Sequence, residues 1–251
     1  MIACHSISFI CTMLRTRLFS FTNFMSAHKA AQAFNSIQEE SLKENCLLVD
    51  KNDKIIGRAT KRDCHKVKPD GSIPLHRAFS VFLFNSKQEL LLQKRSDTKI
   101  TFPGCFTNTC CSHPLFDFVQ EQIEENALGV KLAALRRLNH ELGIPKEELD
   151  TKDVKYLTRI IYKSIGDGIW GEHEIDYVLL ICKDVTIKPN PEEVSEVCFV
   201  SKNDFNDFIS NLNDPITPWF NLILRNQLHL WWDNISNIDE FVDHKSIHRL
   251  T

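Results

Sequence analysis

The sequence predicts an α+β domain in which most of the strands come before the main helix. Two pairs of β-rich runs, each joined by a polar turn, lie ahead of residue 95; one amphipathic helical stretch follows; and three further strand candidates come after it. A doubly wound parallel sheet would alternate strand and helix from the start.

Residues 47–49 and 55–59 flank the polar turn 51–54, which predicts a short hairpin. Residues 78–84 and 89–93, rich in Phe, Val and Leu and joined by Asn85, Ser86 and Lys87, predict a second. Over residues 126–141 the leucines Leu128, Leu132, Leu135 and Leu138, continued by Leu142, recur every three or four positions, and Gly143 follows in the usual stop position. That pattern predicts an amphipathic helix whose polar face carries Arg136, Arg137, His140 and Glu141. Residues 154–161, 175–182 and 197–200 are the later strands, and Thr217 before Pro218 opens a helix running through Trp232. From Cys46 onward there is no Pro/Gly/Ser-rich linker and no repeat, so residues 41–251 read as one domain behind an extension over 1–40.

Thirty basic against 33 acidic side chains, with no long run of one sign, gives little support to nucleic-acid binding, so any anion site must be local. Nine cysteines without framework spacing favour free thiols and a reducing compartment. No apolar stretch approaches the roughly 18 residues of a membrane span. Residues 1–38 lack Asp and Glu and carry Arg15, Arg17 and Lys29, a transit-peptide composition that makes mitochondrial import one expectation, with Met25 an alternative start. The ending His248, Arg249, Leu250, Thr251 approaches a peroxisomal signal but has Thr251 in the last position, leaving a cytoplasmic or peroxisomal location as the other expectation.

The densest reactive cluster is the turn-like run from Asn108 to Pro114, where Cys110, Cys111 and His113 put two thiols beside an imidazole. A thiolate beside a cation or metal has a lowered pKa and exchanges protons near neutrality; small buried apolar residues are the plainer reading of such a pair. Glu172 and Glu174 fall on one face of a strand with His173 on the other, so they are solvated, or one is protonated, or they share a cation. With His65, His76 and His113 they would form an N3O2 set suited to Zn, Mn, Fe or Co rather than Ca. Arg95 and Lys99, with Lys61 as a third cation, offer either a phosphate clamp or ordinary surface charge.

The runs HRAFSVFLF at 76–84, FPGCFTNTCCSHP at 102–114 and WGEHEID at 170–176 resemble type I isopentenyl diphosphate isomerase, in particular its animal members, over about residues 43–232. The resemblance implies a Nudix-like mixed sheet sandwiched by helices, with an extra N-terminal hairpin and C-terminal helices. It also implies the reversible conversion of isopentenyl to dimethylallyl diphosphate by an allylic proton shift. Carried over by position, Glu174 is the acid and Cys111 the base, with Tyr162 bonded to the glutamate. His65, His76, His113, Glu172 and Glu174 become ligands of one divalent metal (zinc, manganese or magnesium), and Glu141 a ligand of a diphosphate-linked magnesium. Lys61, Arg95, Lys99, Ser112 and Trp219 become substrate-binding positions, Trp219 as an aromatic face for a developing carbocation or, alternatively, as core. The partner implied is a small diphosphate, with the chain a monomer or weak homodimer.

Nudix hydrolases carry RExxEExG on their helix, whereas here the stretch reads RRLNHELG at 136–143, with Leu128 where an earlier glutamate would stand. Arg137 and His140 replace two clustered glutamates, which disfavours multi-magnesium activation of a hydrolytic water. A diphosphate hydrolase dependent on Glu141 remains the alternative, and a non-catalytic diphosphate binder a third.

Overall fold

The computed structural model describes residues 38–251, within which Ser41–Thr251 form one compact unit. The transit-peptide reading and Met25 lie outside the described residues.

The first hairpin forms as β1 (Asn45–Val49) and β2 (Ile55–Thr60), followed by a one-turn helix, α1 (Lys61–His65), capped by the Thr60 side chain. Next come β3 (His76–Phe84), β4 (Leu90–Arg95), β5 (Phe106–Thr107) and β6 (Cys110–Ser112). The leucine-rich stretch is α2 (Leu128–Leu142), ended by Gly143 at φ +62°, a left-handed conformation that glycine adopts without penalty. Then follow β7 (Lys155–Ile165), β8 (Gly171–Cys182), β9 (Val194–Val200) and α3 (Lys202–Asn211). Finally α4 (Pro218–Ile223) runs through a π turn into α5 (His229–Asp233), before β10 (Ile247–Arg249).

Among the described residues the ten strands make one mixed sheet, ordered β10-β7-β8-β3-β1-β2 along its main path. The parallel pair β3/β8 is the spine: every residue of β3 is buried, as expected of a central strand covered on both faces. Alternation splits its side chains. Phe79, Val81 and Leu83 join Ile175, Tyr177 and Leu179 of β8 under Val130, Ala133, Ala134 and Leu138 of α2. Phe82 and Phe84 join Val178 and Leu180 under Trp219, Phe220, Trp231 and Trp232 of α4 and α5. Helices therefore cover both faces of a mixed sheet, an α+β architecture, and each buried aromatic or leucine contributes about 1.5–3 kcal/mol of apolar transfer.

Three expectations are corrected. The runs at 78–84 and 89–93 do not form a continuous hairpin: β3 and β4 pair only at Phe84 and Leu90, and β6 takes the place beside β3 while β4 pairs with β5 and β9. Thr109 holds this branch point, its hydroxyl accepting from Leu83 N and donating to Leu91 O. The buried face of α2 is not the leucine stripe, since Leu128, Leu132 and Leu135 are only partly covered while Arg137 and Glu141 are buried in an ion network. Finally, Cys110 and Cys111 lie in a strand rather than a turn. The sequence reading also missed α1 and β10, which are short, and α3, which buries only Phe205.

Candidate active site

The β3/β8 register sets His76 opposite Glu174, and the β7/β8 register sets Tyr162 opposite the same glutamate. Period-two alternation then brings Glu172, Glu174 and Asp176 to the face of β8 under α4. Gly171 lets β8 start this close to its neighbours, because a Cβ there would lie 2.5 Å from Ser164 O and 2.7 Å from the Ile73 side chain. All three carboxyls are buried, so the solvated-face reading of Glu172 and Glu174 is excluded.

Five groups converge here: His65, His76, His113, Glu172 and Glu174 each present a ligand atom, all within 4.8 Å of one another. The imidazole centroids are 4.8, 4.9 and 5.1 Å apart. His65 Nδ1 lies 2.6 Å from Lys61 O and His76 Nδ1 2.9 Å from Pro74 O. Those backbone bonds place a proton on Nδ1 and turn Nε2 toward the carboxylates. His65 Nε2 approaches Glu172 Oε2 to 3.0 Å and His76 Nε2 approaches Glu174 Oε1 to 3.3 Å. Yet His76 Nε2, Glu172 Oε2 and His113 Nδ1 have no hydrogen-bond partner, so the first two approaches have the distance of an ion pair without the alignment of a hydrogen bond. Buried, convergent and unpartnered polar atoms of this kind fit a divalent cation and are costly without one.

The charges respond accordingly. Burial drives His65 down to about 3 and His113 well below its usual value; burial also opposes charge on His76, but the adjacent Glu174 carboxylate lifts it to about 9. Burial and the neighbouring Glu174 push Glu172 well up. Burial acts the same way on Glu174, but His113 and His76 outweigh it and hold this carboxyl well below the carboxylate range. Tyr162 Oη donates to Glu174 Oε2 at 2.6 Å, and burial with that anion pushes its phenol well up.

Cys111 lies across β3 from this group, opposite Ser80 in the β3/β6 register. Its sulfur donates to Asn108 Oδ1 at 3.0 Å and accepts the indole N–H of Trp219 at 2.9 Å. Ser80 links the two halves, its hydroxyl donating to Asp176 Oδ2 at 2.7 Å and lying 3.5 Å from Cys111 Sγ. The expected lowered thiol is not found: burial, then the Asp176 charge, push Cys111 up to about 12, so the resting group is a neutral thiol. Cys110 points to the opposite face and packs in the core under α2, the plain reading of that residue.

Arg95 and Lys99 are not surface charges. Arg95 is buried, donates to Phe102 O and Thr101 O at 3.0 and 2.6 Å, and lies 5.7 Å from the Trp219 ring centroid. Lys99 Nζ reaches Glu193 Oε2 at 2.5 Å. Lys61 heads α1, four residues before His65, and Ser112 is buried opposite Phe79. Trp219 is both core and site: it packs edge-on against Phe102 while its N–H meets Cys111. Glu141 stands outside the five-residue group. Its Oε1 accepts two N–H bonds from Arg137 and its Oε2 one from Gln93, so a cation there would need other ligands to complete its shell.

Asn108 and Ser80, which contact Cys111, and Asp176, which Ser80 joins to it, were missed by sequence reasoning. Asn108 sits inside the recognised run, and its amide is pinned by donation to Val81 O at 2.9 Å and Cys110 O at 3.4 Å. Asp176 continues the alternation of Glu172 and Glu174, a signal present in the strand pattern.

The NUDIX domain family matches residues 74–220. The chain is 52% identical over 217 residues to "Isopentenyl-diphosphate Delta-isomerase 1" of Mesocricetus auratus, spanning 85% of this chain and 95% of that one. It is 45% identical over 248 residues to the chloroplastic "Isopentenyl-diphosphate Delta-isomerase I" of Arabidopsis thaliana, spanning 95% and 84%. Among solved structures, a protein from Deinococcus radiodurans superposes with a TM-score of 0.50 at 17% identity, covering 73% of this chain and 99% of that one, a likeness of fold alone. Among the described residues no helix is long and apolar enough to cross a membrane. The chain belongs to the isopentenyl-diphosphate Delta-isomerase family, built on a Nudix domain.

Proposed function

We propose that the chain interconverts isopentenyl and dimethylallyl diphosphate by moving a proton on and off an allylic carbon skeleton. The observation that carries this reading is the placement of a thiol and a carboxylate on one sheet face, Cys111 from β6 and Glu174 from β8 with β3 between them. One group adds a proton to the alkene and the other removes one from the carbon next to the oxygenated carbon. The resemblance assigns Glu174 as the acid and Cys111 as the base, and since the reaction is reversible each residue serves both roles. Tyr162 steadies the Glu174 oxygen that exchanges the proton.

An alkene is a very weak base, and the tertiary cation it yields is quenched by water. Catalysis therefore rests on holding acid and base within reach and on keeping the site dry. Trp219 and Phe102 wall the Cys111 side with apolar surface, and the indole ring offers its electron-rich face to a cationic carbon. Arg95, Lys99, Lys61 and Ser112 are proposed to hold the diphosphate.

His65, His76, His113, Glu172 and Glu174 would hold zinc, manganese or magnesium, which would fix Glu174 in place and tune its acidity. Glu141 would share a magnesium ion with the diphosphate oxygens. The hydrolase alternative is not favoured, because Arg137 stands in place of a metal-binding glutamate and ties up Glu141. Turnover of isopentenyl diphosphate in heavy water tests the reading: deuterium in the dimethylallyl product is expected, and phosphate release without isomerisation would overturn it.

A further inference from the structure

Glu193 lies at the turn before β9 and is not among the residues that the proposed reaction uses. Its carboxylate is buried and gathers three cationic or titratable side chains: Lys99 Nζ at 2.5 Å, Arg137 Nη2 at 3.2 Å and His140 Nε2 at 3.3 Å. Its backbone ties the same groups together, with Ser96 N donating to Glu193 O at 2.9 Å and Glu193 N donating to Asn190 O at 3.0 Å, while Asn190 N donates to Glu141 O at 2.9 Å. The loop carrying Lys99, the end of α2 and the start of β9 therefore meet at one carboxylate.

We infer that Glu193 is a positioning residue for diphosphate binding, its buried carboxylate holding the Lys99 ammonium in place and keeping it charged. This rests on the reading of Lys99 as a diphosphate contact. Lys99 is covered on most sides, and the other charged groups that face it are Arg95 from β4, Lys61 from α1 and Arg137 from α2, all cations, with the Glu141 carboxylate of α2 already bonded to Arg137. Burial lowers Lys99 to about 8 even with Glu193 opposing the loss of its proton. Without that anion, burial and three like charges act together, and a neutral amine at physiological pH contributes little to holding a diphosphate.

The test is binding of inorganic diphosphate, in excess magnesium, to the metal-loaded full chain between pH 6 and 9. The ligand's own protonation is common to all proteins compared, so a difference between them reports the protein. Wild type is expected to keep its affinity until about pH 8, where Lys99 loses its proton. In Glu193→Gln the fall should come at least one pH unit earlier, giving binding weaker by about fivefold or more at pH 8 with little change at pH 6. Glu193→Asp should restore the wild-type midpoint. In the Lys99→Met background, substitution at 193 should move nothing further, which separates positioning from a general loss of structure. An unmoved midpoint in Glu193→Gln, or an equal loss at every pH that Glu193→Asp does not rescue, would overturn the inference, as would wild type that fails to bind diphosphate. Labelled turnover by wild type is measured alongside: its absence sinks the isomerase reading, whereas turnover with an unmoved midpoint sinks only the role of Glu193.

Discussion

Tyr162 and Glu174 face each other across the β7/β8 ladder, and the phenol donates to the carboxylate at 2.6 Å with both groups buried. A hydrogen bond to a buried carboxylate is worth about 1.5–3 kcal/mol, so Tyr162→Phe should lower kcat about 10- to 100-fold with a smaller effect on KM. Steady-state kinetics over the full substrate range check this. Unchanged kcat would mean that the tyrosine only fills space.

Metal removal should destabilise the chain more as pH rises. His76 is lifted from 6.5 to about 9 in the metal-free site, so its contribution to apo stability is fully present below pH 6.5 and is lost as pH rises through about 9. Metal binding has the opposite slope, because His76 must surrender that proton before it can ligate. The fall in Tm caused by a chelator should therefore grow between pH 6.5 and 9, measured by scanning calorimetry of the metal-loaded chain with and without chelator. A fall that shrinks with pH would contradict the five-ligand site.

Asn108→Ala should slow turnover about 5- to 10-fold at saturating substrate, the rate equivalent of losing one neutral hydrogen bond of about 1 kcal/mol. The same change leaves Val81 O without its side-chain donor, so a modest loss of stability should accompany it. Unchanged kcat together with unchanged alkylation of Cys111 by iodoacetamide would show that the amide does not orient the thiol.

On the opposite face, Asp53 accepts from Arg77, Arg159 and Tyr177 and pins the first turn to the sheet. Arg77 is buried, and Asp53→Ala removes its buried carboxylate partner and leaves only the exposed Glu124 carboxylate at 3.1 Å, a loss of about 3 kcal/mol. Urea unfolding should show this, while the folded fraction retains its kcat because no residue of the proposed site is touched. Stability within 1 kcal/mol of wild type would refute the buried-pair account.

Much of this was legible in the sequence, for identifiable reasons. The two faces of β8 follow from strict alternation, which by itself places Glu172 and Glu174 on the same side of the strand. The gathering of His65, His76 and His113 was not derivable from spacing, since α1, β3 and the residue after β6 carry them, and the Lys66–Trp170 bridge together with the β3/β8 and β3/β6 registers brings them together. The resemblance supplied that step. Charge state was read least well. Local sequence makes Cys111 look like an activated thiol beside an imidazole, but His113 turns to Glu174, and burial leaves the sulfur neutral. Likewise Arg137 and Glu141 look like a solvated helix face until Arg137 is seen to bridge Glu141 to Glu193, more than fifty residues away in sequence. The leucine stripe of α2 misled because its small residues, Ala133 and Ala134, are the ones that let the helix lie close to the sheet.

The most direct test of the central claim, that Cys111 and Glu174 share one proton-transfer site, is isotope incorporation by the metal-loaded chain given isopentenyl diphosphate in deuterium oxide. Wild type should yield deuterated dimethylallyl diphosphate, while Cys111→Ala and Glu174→Gln, each shown to be folded by circular dichroism, should yield none. Unlabelled product from wild type, or retained turnover in either variant, would contradict the account.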